Sequence, residues 1–426
     1  MAAALRRSLR IPLFRRRFSA LSTAATTATS PTPSSDPISA AKSAIRSESD
    51  PDRLVSLFES AAHDPSFYDD RPIYRFSIQK LARHHRPDLI ERLLEGAKSN
   101  PDPPKSEGFL LRLLSLYSEA GMPDHAFRTF EAMPGLGCRR TDRSLCALLS
   151  AFLKNDCVDR LQDVFDRAAV EFGIAPGIAS YNVLLRALCS IDEVEKARAL
   201  LDEMPDKGVE PDIICYNTVL EGYLKKGDYS GFDEFLKEFN RKKFSPNVGT
   251  FNCRIAALCA QGKSLQAEEL LDVMQSKTIQ PNRLSFNTLI DGFCKEGNMD
   301  SAMKVFERMK GFMRPDDTRV SPDFKTYTTL LEDLVEKGEF GKGVEICKEC
   351  LKKKWAPPFE TVKGLIDGLV KSSRVNEAKD VISRMGKGIK GDARDAWKKI
   401  EESFSFEKSD TSPLLLASSS RKPSFI

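Results

Sequence analysis

The sequence predicts an all-α, right-handed α-solenoid of about nine helix-turn-helix repeats, each about 35 residues long. Three observations carry that expectation. Self-similar segments return at a fixed interval, most of them close on a proline, and apolar residues recur at helical spacing with no alternating strand pattern. Aligned on shared residues, the clear segments start at Ile178, Ile213, Val248, Arg283, Phe324 and Phe359. The segment from Arg283 is longer than the others, and its excess falls in the polar stretch Arg314–Ser321, where a loop absorbs it. Weaker segments start at Arg71, Glu107 and Asp142, and an eroded helical pair is expected over Ile38–Asp70.

Each column of the repeat has a physical reason. The fifteenth residue is glycine at Gly121, Gly227, Gly262, Gly297 and Gly338, as suits a helix end that turns through positive φ. The twentieth is alanine at Ala126, Ala197, Ala267, Ala302 and Ala378, small enough for two helices to approach closely. Met133, Met204, Met274, Met309 and Met385 share a face of the second helix with Phe130, Leu201, Leu271, Phe306 and Ile382, three residues earlier. Pro176, Pro211, Pro246, Pro281 and Pro322 stop the second helix before the next repeat begins.

Charge is unevenly placed. The formal net charge is +4 at pH 7. Arg6, Arg7, Arg10, Arg15, Arg16 and Arg17 crowd a leader that has no acid before Asp36. An Arg/Ser/Thr/Ala-rich, acid-free start is the composition of an organelle address, so residues 1–36 are expected to be a mitochondrial transit peptide and linker, with the chloroplast as the alternative. Beyond it we expect degenerate helical repeats over 37–177, the clear array over 178–393, a capping helix over 394–406 and a disordered Ser/Pro-rich tail over 407–426. No apolar run approaches the roughly 20 residues that span a bilayer, so no membrane span is expected.

The first helices read Tyr181-Asn182-Val183-Leu184-Leu185, Tyr216-Asn217-Thr218-Val219-Leu220, Phe251-Asn252 and Phe286-Asn287-Thr288-Leu289-Ile290, and the segments close on Pro-Asp or Pro-Asn. These motifs resemble the pentatricopeptide repeat family, and the uniform spacing resembles its P class. The resemblance is specific across 178–323, clear to about 393 and degenerate from 71 to 177. It implies that single-stranded RNA is read one base per repeat, by the fifth residue together with the residue that closes the repeat. The implied pairs are Asn182/Asp212, Asn217/Asn247, Asn252/Asn282 and Asn287/Asp323, which the family's code makes uracil, cytosine, cytosine and uracil, a pyrimidine-biased target read 5′ to 3′. An asparagine near a helix start is also a common cap, so a lone one would carry little.

A second column bears on RNA. The thirteenth residue is Arg83, Lys154, Lys225, Lys295 or Lys371, and Lys154, Lys225, Lys295 and Lys371 are the candidate phosphate contacts. The second residue, which wedges the base in the family, is Ala179, Ile214, Gly249 or Leu284. Outside the four pairs, fifth residues such as Leu111, Cys146 and Lys363 fit no code.

Catalysis is not expected. The spacing Cys347-Lys-Glu-Cys350 suggests a metal or redox motif, but both cysteines fall on apolar columns, and Cys189, Cys259 and Cys294 share another. His63, His84, His85 and His125 stand apart from any ligand set, so no metal, cofactor or small-molecule substrate is expected. The functional expectation is an organellar RNA-binding protein acting in transcript stability, processing or translation. The alternative is a structural or assembly component of the mitochondrial ribosome, contacting ribosomal RNA and ribosomal proteins.

Overall fold

The computed structural model describes residues 37–62, 64, 67, 70–100, 106–242, 244–314, 317–389 and 392–404. The address expected over 1–36 and the tail expected over 407–426 lie outside these residues. All named elements are helices, and the extended pairing among the described residues is a single bridge between Met313 and Arg319. The chain divides between Pro104 and Lys105 into two compact units.

The first unit holds α1 (Pro37–Ser47), α2 (Pro51–Ala61), α3 (Arg71–Arg83) and α4 (Pro87–Ser99). Asp50 accepts hydrogen bonds from the amides of Asp52 and Arg53, and Pro51 fills the first helical position, which fixes where α2 starts. Phe58 packs edge-on against Phe67 and Tyr74, with ring centroids 5.1 and 4.8 Å away.

The second unit is a row of helical hairpins. Its first helices are α5 (Glu107–Glu119), α7 (Asp142–Lys154), α9 (Ile178–Ser190), α11 (Ile213–Lys226), α13 (Val248–Ala260), α15 (Arg283–Lys295), α17 (Phe324–Glu336) and α19 (Phe359–Lys371). Each begins on the residue from which the repeat is counted. Their partners are α6 (Pro123–Ala132), α8 (Val158–Arg167), α10 (Val194–Glu203), α12 (Tyr229–Arg241), α14 (Ser264–Ser276), α16 (Met299–Gly311), α18 (Phe340–Lys352) and α20 (Val375–Gly388). A last helix, α21 (Asp392–Ser403), lays Trp397 on Phe359 at 5.5 Å between ring centroids.

The turn inside each hairpin is left-handed at the fifteenth residue whatever stands there. Gly121, Gly227, Gly262, Gly297 and Gly338 have φ of 69–75°, and His85, Asp156, Asp192 and Ser373 have φ of 54–65°. Four repeats therefore carry a strained non-glycine residue where the geometry favours glycine.

The apolar columns form the core. Ala126, Ala197, Ala267, Ala302 and Ala378 are fully buried, as are Met133, Met204, Met274, Met309 and Met385. The hairpin α11–α12 replaces these small and flexible residues with rings. Phe232, Phe235 and Phe239 are buried, and Tyr216 stacks on Phe235 at 5.6 Å. The longer loop after α16 turns back on the Met313–Arg319 bridge, and Val320 returns to the core.

Successive first helices meet across small residues. A Cβ on Gly222 would lie 2.5 Å from the Cys189 sulfur, and one on Gly292 would lie 2.6 Å from the Cys259 sulfur. Gly222 and Gly292 thus allow a close approach that no larger residue permits. Cys347 and Cys350 are buried in the core, with Cys350 Sγ donating to the Trp355 carbonyl at 3.5 Å, and burial pushes both thiols up to about 12. No cluster of three or more His, Cys, Asp or Glu able to hold a metal exists among the described residues.

Candidate nucleic-acid interface

The four closing residues Asp212, Asn247, Asn282 and Asp323 are the N-caps of α11, α13, α15 and α17. In each, Oδ1 accepts the backbone amide two or three residues on, at 2.9–3.1 Å. A cap spends only one side-chain atom. The other is not used by the cap: Nδ2 at Asn247 and Asn282, Oδ2 at Asp212, and Oδ2 at Asp323, which lies 3.8 Å from the Arg283 guanidinium.

Three of the four expected pairs are brought together. Asn217 Nδ2 donates to Asn247 Oδ1 at 3.1 Å, Asn252 Nδ2 to Asn282 Oδ1 at 3.4 Å, and Asn287 Nδ2 to Asp323 Oδ1 at 3.3 Å. Asn182 and Asp212 make no such bond. Asn182 Oδ1 is instead buried with no hydrogen-bond partner.

A third residue, absent from the sequence reading, completes the three joined pairs. The hydroxyl of the third residue of the following repeat donates to the asparagine carbonyl. The distances are 2.9 Å from Thr250 to Asn217, 2.6 Å from Ser285 to Asn252 and 2.7 Å from Thr326 to Asn287. The same hydroxyl oxygens accept the cap's own backbone amide, closing a capping box at Asn247, Asn282 and Asp323. The signal was present as Asn-x-x-Thr, Asn-x-x-Ser and Asp-x-x-Thr around each repeat boundary. At the unjoined pair the third residue is Cys215.

The arrangement makes a row of half-committed polar groups. Each pinned asparagine has spent its carbonyl and one N–H, so a single N–H remains. The closing residue then differs in sign, an amide donor at Asn247 and Asn282 and a carboxylate acceptor at Asp323. Burial pushes the Asp323 carboxyl up. The Thr326 amide and hydroxyl, the Asn287 amide and the Arg283 charge outweigh it and hold that carboxyl below the usual range. A carboxylate suits a base edge offering an N–H, as uracil N3 does, and an amide donor suits an unprotonated ring nitrogen, as in cytosine.

The two units that precede the four pairs lack this opening. Asp142 Oδ1 takes the Gly177 amide at 2.7 Å and the Ser180 hydroxyl at 2.6 Å, which puts a carboxylate where a reading pair would stand. Glu107 likewise accepts the Thr141 hydroxyl.

Beside the amides, Ile214 and Leu284 are 50% and 56% exposed, as a base-stacking wedge requires. Gly249 has a different reason. A Cβ there would sit 2.8 Å from Asn217 Nδ2, so the glycine makes room for the pinned amide. Among the cations, Arg83, Lys154, Lys225 and Lys371 are exposed, while Lys295 is ion-paired to Asp291 at 2.7 Å.

Known proteins resemble this chain in the same terms. Family models described as "PPR repeat" match 112–138, 249–279, 277–310 and 360–387. Those described as "Pentatricopeptide repeat domain" and "PPR repeat family" match 199–261 and 176–214. The chain is 32% identical over 401 residues to the Arabidopsis thaliana small ribosomal subunit protein mL103 (rPPR7), covering 93% of this chain and 95% of that one. It is 31% identical over 391 residues to a mitochondrial pentatricopeptide repeat-containing protein of Arabidopsis thaliana, covering 91% and 90%. It is 36% identical over 194 residues to the Arabidopsis thaliana small ribosomal subunit protein mS78 (rPPR3a), a match that takes in 45% of this chain and about half (48%) of that protein. The crystal structure of maize PPR10 superposes with a TM-score of 0.43 at 19% identity, covering 85% of this chain and 59% of that one. The repeat interval, the hairpin geometry and relatives matched over nearly their whole length agree, and the chain belongs to the pentatricopeptide repeat family.

Proposed function

We propose that this protein is a P-class, mitochondrial single-stranded RNA-binding factor acting in transcript stability, processing or translation. The observation that carries the reading is the row of joined pairs, Asn217/Asn247, Asn252/Asn282 and Asn287/Asp323, each leaving a donor or acceptor of defined sign. With Asn182/Asp212 they would read uracil, cytosine, cytosine and uracil. Lys154, Lys225 and Lys371 would meet phosphates, and Lys295 would contribute less because Asp291 already neutralises it. The site proposed is for binding RNA, and no catalytic role is assigned to it.

A second reading has its own support. The match to mL103 runs through nearly the whole of both chains, and mS78 is named as a ribosomal protein too. The carboxylates of Asp142 and Glu107 occupy the two units before the four pairs, and those units would serve as a scaffold on ribosomal RNA and protein. Crosslinking the protein to RNA in intact mitochondria and sequencing the fragments tests both readings. Messenger fragments rich in short pyrimidine runs support the first, ribosomal RNA fragments support the second, and recovery of no RNA above background overturns both.

A further inference from the structure

Two of the candidate pairs are chemically identical, and they differ in one neighbour. Asn182/Asp212 and Asn287/Asp323 each place an asparagine beside a capping aspartate, but the third residue of the next repeat is Cys215 in one case and Thr326 in the other. Around Asn287 the hydrogen bonds favour one orientation of the amide. The Thr326 hydroxyl accepts the Asp323 amide at 3.1 Å, and its one proton faces Asn287 Oδ1 at 2.7 Å and Asp323 Oδ1 at 2.9 Å, the shorter contact being to Asn287. With its oxygen held, the Asn287 amide must direct Nδ2 towards Asp323 Oδ1, at 3.3 Å. Thr250 and Ser285 impose the same orientation on Asn217 and Asn252.

Cys215 cannot do so. A thiol is a weak donor, and Asn182 Oδ1 remains buried with no partner and no bond from Asn182 to Asp212. An amide whose oxygen no protein donor holds is free to turn over. Turning it exchanges the atom offered to a bound base, from an N–H donor to a carbonyl acceptor.

We propose that the third-position hydroxyls of Thr250, Ser285 and Thr326 are positioning residues for base recognition, and that Cys215 leaves Asn182 unpinned, so its repeat discriminates bases poorly. The inference rests on the RNA-reading function above and adds to it which residue sets the fidelity of each repeat. It orders the repeats: the nucleotide facing Asn287/Asp323 is read strictly, and the one facing the same pair of residue types at Asn182/Asp212 is read loosely.

The test uses the full chain and a fluorescent single strand carrying UCCU in an unstructured flank, with the first or the last U changed to C. In the wild type the last position should discriminate more than the first. Cys215→Ser should raise discrimination at the first position, roughly tenfold, the scale of satisfying one buried acceptor. Thr326→Val should lower it at the last position by a similar factor, and Thr326→Ser should keep it. A hydroxyl with a merely structural role would change affinity for all strands alike and leave these ratios fixed. If the wild type binds UCCU strands but the ratios do not move in Cys215→Ser, the positioning role is wrong and the RNA function stands. If the wild type binds no single strand, the RNA function falls. The pinning is then judged by thermal melting of Cys215→Ser, where a rise in midpoint retains the clamp and an unchanged midpoint removes it.

Discussion

Gly222→Ala probes the packing that fixes the distance between neighbouring repeats. Gly222 lies within α11, and an exposed helical glycine changed to alanine gains about 0.5–1 kcal/mol from the unfolded chain's lost freedom. Here the new Cβ would stand 2.5 Å from Cys189 Sγ, 3.0 Å from Cys189 Cβ and 3.3 Å from Val194 Cγ2. Cys189 is 2% exposed and sits on a helix of the preceding repeat, so it has little room to retreat. Overpacking of this kind costs about 1–3 kcal/mol, which exceeds the helical gain and leaves a net loss of about 1–2 kcal/mol. Removing the obstructing sulfur should recover part of it. The double variant Gly222→Ala/Cys189→Ala should be more stable than the sum of the single changes predicts, by about 1 kcal/mol. Urea unfolding followed by circular dichroism, compared by midpoints because repeat arrays depart from two-state behaviour, measures the cycle. A Gly222→Ala protein as stable as the wild type, or strict additivity of the two changes, would refute the close-approach account.

Three further outcomes follow from single observations. Ser373 holds φ at 59° in a turn where five other repeats place glycine, so Ser373→Gly should raise the unfolding midpoint, by about 0.5 kcal/mol net, while Gly338→Ser should lower it. Gly249→Val supplies the wedge that Ile214 and Leu284 provide elsewhere, yet it should weaken RNA binding because its Cβ meets Asn217 Nδ2, and tighter binding in a titration would contradict the geometry. Cys347 and Cys350 should resist iodoacetamide at pH 7 in the native protein and react fully in urea, since burial pushes both thiols up to about 12; rapid labelling of the folded chain would contradict their placement.

The fold was legible because the repeat is a period, and a period survives substitutions at single positions. Every first helix from Arg71 to Phe359 starts where the alignment starts, including those whose glycine, alanine or methionine columns have eroded. The backbone explains why erosion was tolerated. His85, Asp156, Asp192 and Ser373 adopt the left-handed turn at a cost that packing in the rest of the hairpin outweighs. The aromatic hairpin α11–α12 keeps the same architecture with a different filling, which column-by-column reading could only register as a mismatch.

The candidate site was less legible, for a reason of chemistry. Residue types identified the asparagines and the closing residues, but a hydrogen-bond network depends on which atom faces which. Nothing in Asn182 distinguishes it from Asn287. The difference lies in Cys215 and Thr326, each in the following repeat. The cap that an asparagine near a helix start suggests falls not to Asn182, Asn217, Asn252 and Asn287, which lie inside their helices, but to the closing residues, and Asn247 and Asn282 cap through Oδ1 and keep Nδ2. In the cation column, Lys295 looks like Lys225 in sequence, and the structure pairs it with Asp291.

The account stands most directly on equilibrium binding of the full chain to two matched single strands, one carrying UCCU and the other AGGA in the same flank at the same salt concentration. It predicts tighter binding of the UCCU strand by at least tenfold, which is about 1.4 kcal/mol shared among the pinned pairs. Equal affinity for the two strands would contradict it, leaving the asparagine row as hydrogen bonding between neighbouring repeats of a scaffold that reads no sequence.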